Sequence, residues 1–97
     1  MLQFEELRLK LQGMEPELRE LKQSLNIDKL GIEIAELERK AAEPSFWDDM
    51  ENSQKVLQRT SQLKASVETY NKLQALYEDT LTLIELAEEA GDESVYE

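Results

Sequence analysis

The stretch "AAEPSFWDDMENSQKVL", residues 41 to 57, interrupts a chain otherwise written almost entirely in helix-forming residues. It holds one of the two prolines, adjacent Phe46 and Trp47, and the pair Asp48 and Asp49. Pro44 forbids continuation of any helix arriving from the left, and it pushes Glu43 toward extended backbone. Ser45 precedes Asp48 by three residues, a spacing that resembles a capping box with aspartate in place of glutamate. Asp48 and Asp49 can also satisfy the free N–H groups at the start of the next helix. The reading is therefore a reversal between two helices. Pro44, Phe46, Trp47 and Asp48 form its structural turn, and the two aromatic rings are expected to pin it onto the first helix. A buried tryptophan removes on the order of 200 Å² from water, enough to hold a turn in place. The alternative is an aromatic hot spot for a partner, where tryptophan is enriched.

Outward from the turn, apolar residues keep helical spacing on both sides. Phe4, Leu7, Leu11, Met14, Leu18, Leu21 and Leu25 are spaced alternately by three and four, an unbroken heptad seam. It predicts a helix over about 2–25, kinked near Pro16 rather than broken there. Asp28 is the expected N-cap of a second helix over about 28–42, with Leu30, Ile34, Leu37 and Ala41 as its stripe and Ile32 off it. After the turn at 43–49, a long helix over about 50–90 carries Val56, Thr60, Leu63, Val67, Tyr70, Gln74, Tyr77, Leu81, Ile84 and Glu88 in the same rhythm, with Leu57, Leu73, Leu76, Leu83 and Ala87 widening the apolar face. Gly91 suits a left-handed C′ stop. Asp92 or Ser94 then caps the start of a fourth helix over 92–97, so the chain reads as a domain cut short. The expected fold is all-α: an antiparallel, coiled-coil-like bundle of three helices plus the truncated start of a fourth, as one domain over 1–97. Without that fourth helix, the stripe around Tyr70, Tyr77, Leu81 and Ile84 lacks cover. The isolated chain is then expected to self-associate or to fray beyond Leu73.

Composition narrows the chemistry. The chain has no cysteine and no histidine, which removes disulfides, thiolate sites, the commonest metal ligand and the commonest general base. Adjacent carboxylates such as Asp48/Asp49 or Glu88/Glu89 point about 100° apart on a helix and do not converge on one atom. No enzyme, metal site or cofactor is expected. No apolar run approaches the roughly 20 residues of a membrane span. The start "MLQFEELRLK" lacks the pattern of a secretory signal, so a cytoplasmic protein is expected. The net charge is −11, from 22 acids against 11 basic residues, and such a surface repels nucleic-acid backbones. The last basic residue is Lys72. Beyond it, Glu78, Asp79, Glu85, Glu88, Glu89, Asp92 and Glu93 form a candidate patch facing a basic protein partner, or else a solvated helix face.

The order "ELERKAAEPSFWDDMENSQKVLQRTSQLKASVETYNKL", followed by "LIELAEEAGDES", resembles the amino-terminal helical domain of the bacterial peptide chain release factor 2 family. Pro44, Trp47 and Asp48 match its proline-plus-tryptophan turn. Leu83, Ile84, Glu85, Leu86, Ala87, Glu89 and Asp92 match the end of its long helix. The resemblance is strongest from about Leu37 to Glu93 and loose before Asp28. It implies a part in translation termination at stop codons. It also implies docking at the large ribosomal subunit near the stalk-base proteins, with a GTPase release factor as partner. The family's Gly-Gly-Gln and Ser-Pro-Phe tripeptides do not occur in this sequence, where "EPSF" has the wrong order, so no catalytic or codon-reading residue carries over. The rival reading is a stand-alone acidic coiled-coil adaptor unrelated to translation. A Gly-Gly-Gln tripeptide on a basic downstream domain separates the two.

Overall fold

The structure, a computed structural model, describes residues 2–91. It is all-α, with no strand among the described residues. Four α-helices occur in order: α1 (Leu2–Gln12), α2 (Glu15–Leu25), α3 (Ile27–Ala41) and α4 (Met50–Ala90), with a 3-10 turn at Pro44–Asp48 between the last two. The fourth helix expected at 92–97 lies outside the described residues.

The expected single helix over 2–25 is two helices, because the backbone breaks at Gly13 and Met14. The Met14 N–H turns back to the Leu11 carbonyl at 2.9 Å, a tightened 3-10 bond that closes α1. Pro16 then occupies the second position of α2, where a missing N–H costs nothing. The proline that predicted a kink serves instead as a helix start. A second break separates α2 from α3 at Asn26, which adopts φ 55° and ψ 55°. This left-handed conformation suits asparagine better than most residues. Asn26 makes no side-chain capping bond, and Asp28, the expected N-cap, sits inside the first turn of α3. Its carboxylate there still favours the positive end of the helix dipole. At the far end of α4, Gly91 takes φ 64°, the left-handed stop its position suggested.

The described chain separates into two compact units. One comprises residues 1–21 and 71–97 and the other residues 22–70. In the first, Arg8 of α1 meets Glu88 of α4 at 3.1 Å. Leu18 and Leu21 share a groove with Leu73 and Tyr77. Early residues thus meet late ones, an antiparallel run of α1 and α2 against the second half of α4. Phe4 and Ala87 are this unit's buried apolar side chains among the described residues. In the second unit, α3 and the first half of α4 are bridged by Glu33–Arg59 and Glu38–Lys64, both at 3.4 Å. Phe46, Leu63 and Tyr70 are buried there.

Candidate functional site

The turn is built from the inside out. Phe46 is 7% exposed, while its neighbour Trp47 is 54% exposed. A 3-10 helix turns 120° per residue, so two adjacent side chains cannot both face one core. The expectation that both rings plug the turn is corrected: Phe46 is the plug. Trp47 lies across it edge-to-face, with ring centroids 5.0 Å apart and planes at 86°.

Beneath Phe46 sits Ser53, which is fully buried. Its Oγ lies 2.6 Å from the Phe46 carbonyl oxygen and 2.9 Å from that of Asp49, and its single proton bridges the two acceptors. The Asp49 carbonyl also accepts the Ser53 N–H at 2.9 Å, so the hydroxyl's distinctive bond is the one to the Phe46 carbonyl, which ties the 3-10 segment to the first turn of α4. Asp49 completes the junction by accepting the Asn52 N–H on Oδ1 at 3.1 Å. The cap of α4 is therefore Asp49, one of the two aspartates expected to serve the start of that helix. The Ser45–Asp48 capping box is displaced, since Asp48 ends the 3-10 turn. Sequence reading missed Ser53 because serine reads as polar. Its position three residues before Val56 extends the apolar rhythm of α4 backward, and that was the available signal.

The acidic residues past Lys72 divide by environment. Glu78, Asp79, Glu85 and Glu89 are exposed. Glu78 accepts a hydrogen bond from Gln74 Nε2 at 3.1 Å. Glu88 is turned inward onto Arg8, and its second oxygen Oε1 is buried with no hydrogen-bond partner among the described residues. Asp92 and Glu93 lie outside the described residues. Among the described residues no three acidic side chains gather where they could hold a metal ion. No helix there is long and apolar enough to cross a membrane.

Fold and site together define an acidic, all-α module whose polar groups hold helices and turns together. Residues 30–97 match the PCRF domain family, and the chain belongs to that family. It is 34% identical over 96 residues to peptide chain release factor 2 of an Exiguobacterium species, covering 99% of this chain and 26% of that protein. It is 38% identical over 79 residues to peptide chain release factor 2 of Rickettsia bellii, covering 81% and 22%. A third relative, peptide chain release factor 2 of Streptomyces avermitilis, is 38% identical over 82 residues, covering 84% and 22%. The chain thus spans about a quarter of the length of these curated relatives. No solved structure matches it significantly.

Proposed function

We propose that this chain is a docking module of a peptide chain release factor acting in translation termination at stop codons. The family match over residues 30–97 carries this reading, and the names of the relatives support it. In the proposed role the module sits near the stalk-base proteins of the large subunit and meets the partner GTPase release factor in the cytoplasm. It breaks no bond itself. The exposed carboxylates of Glu78, Asp79, Glu85 and Glu89 support contacts with basic protein, since −11 disfavours approach to RNA. Asp92 and Glu93 belong to the same proposed patch, whereas Glu88 contributes less because Arg8 already holds it. The antiparallel packing of α1 and α2 against the second half of α4 supports a helical-bundle architecture for the module.

Co-sedimentation tests the reading. The chain should pellet with ribosomes stalled at a stop codon, and pellet less once stalk-base proteins are stripped from the large subunit. Reversing charge at Glu78, Asp79, Glu85 and Glu89 together should release it. Equal recovery with intact and stripped ribosomes would refute the docking role.

A further inference from the structure

Between the α1–α2 run and the second half of α4 lies an open groove of about 460 Å³. Leu11, Met14, Leu18 and Leu21 form one wall, and Leu73, Leu76, Tyr77 and Thr80 form the other. Met14 and Leu76 are 52% and 64% exposed, so apolar surface lies open to water in a concave site. Glu17 is the charged residue in the lining. The unit that carries this groove, residues 1–21 and 71–97, holds 13 of the 22 acids and 4 of the 11 basic residues. The other unit holds nine acids and seven basic residues. By sequence the net charge is thus −9 for this unit and −2 for the other, and the described residues of the groove's unit carry −6 of it. Three of the four local cations are already engaged: Arg8 with Glu88, Arg19 with Glu15, and Lys72 within the protein. Among the described residues, Glu17, Glu20, Asp79, Glu85 and Glu89 have no ion-pair partner.

We propose that this groove binds a cationic amphipathic helix. One wall is α4 and the other the α1–α2 run, whose backbone stays hydrogen-bonded across the break at Gly13 and Met14, so no sheet edge offers itself to an extended strand. Their apolar rows repeat every three and four residues, and a third helix lays a matching stripe between two such rows. On the unbroken α4 wall, Leu73 to Thr80 spans roughly 10 Å, which matches about two turns of an incoming helix. Lysines or arginines flanking that stripe meet the unpaired carboxylates. A second copy of the chain is disfavoured, since it brings another −9 against the first. The proposal stands apart from the termination reading, because it requires only a partner protein that presents a basic amphipathic helix.

Fluorescence anisotropy on the whole chain tests it. The probe is a labelled Leu/Lys peptide of about fourteen residues with helical amphipathic spacing. Two controls are a scrambled peptide of identical composition and a Leu/Glu peptide of identical spacing. The Leu/Lys peptide should bind, more weakly at high salt. Leu76→Glu and Leu73→Glu should each weaken it by about tenfold or more, a loss typical of an anchor position. Both side chains are exposed, so the fold should survive, as circular dichroism checks. Ile32→Glu on α3 should leave binding unchanged. Four results would each overturn the proposal: binding equal to that of the scrambled peptide, insensitivity to Leu76→Glu, equal binding of the Leu/Glu peptide, or a groove occupied by a second copy in a dimer that Leu76→Glu dissolves.

Discussion

Phe46 and Trp47 share a peptide bond and have opposite roles, so truncating each should give very different results. Removing the Phe46 ring leaves a hole in the second unit's core. Phe46→Ala should destabilise by about 3 to 5 kcal/mol, the usual range for a buried aromatic. Trp47→Ala removes a ring already half in water and should cost less than about 1 kcal/mol. Urea denaturation of both variants reads the difference, and a larger loss at Trp47 would contradict the assignment. Ser53 belongs to the same local network. Ser53→Ala strips the hydroxyl donor from the Phe46 carbonyl, while the Asp49 carbonyl keeps the backbone N–H of residue 53, and should cost about 1 to 2 kcal/mol. Composition could mark the turn and its aromatic content, but it could not choose which aromatic faces inward. That choice is made by the 120° step of the 3-10 backbone, and nothing in "PSFWD" announces a 3-10 turn over other reversals.

At the scale of elements, the rhythm of three and four along α4 was legible throughout. Each residue of the run from Val56 to Glu88 is buried or half-buried, Tyr70, Tyr77, Leu81 and Ile84 included, which corrects the expectation that this stripe lacks cover. Leu57, Leu73, Leu76 and Leu83, expected to widen the apolar face, are exposed, and Ile32 is exposed as its offset phase required. The break at Gly13 and Met14 was not legible, since seam residues can keep their phase across a two-residue turn while the backbone bonds do not. Pro16 is equally compatible with a kinked helix and a new one. The Arg8–Glu88 pair shows a further limit, for a glutamate ending an apolar stripe reads as the helix surfacing. In the structure it is the ionic clasp between α1 and α4. Arg8→Leu should destabilise by about 1 to 3 kcal/mol by leaving a half-buried carboxylate without its partner. The double variant Arg8→Leu/Glu88→Leu should be more stable than Arg8→Leu alone, because the stranded charge is gone. Thermal melts of the four species in the cycle give the coupling. Strict additivity would mean that the pair is a surface contact of no consequence.

Across the whole molecule, charge and helix direction combine at one end of α4. Glu51 in its first turn opposes the positive dipole end, whereas the last turn contains no basic residue and ends in Glu88, Glu89 and Ala90. Carboxylates at the negative end of a helix are unfavourable by roughly 0.3 to 1 kcal/mol each when exposed. Those charges belong to the unit with net charge −9, so self-repulsion and dipole act in the same direction there. Salt should therefore stabilise this end selectively. Raising ionic strength from about 0.01 M to 0.5 M shortens the screening length from about 30 Å to a few ångströms. Amide exchange from Leu81 to Ala90 should slow several-fold, while exchange from Val56 to Val67, in the nearly neutral unit, should change little. Glu89→Lys should reproduce most of the effect at low salt by reversing one charge at the dipole's negative end. Uniform slowing along α4 would show that salt acts on general hydrophobic burial and that charge segregation leaves no local mark on stability.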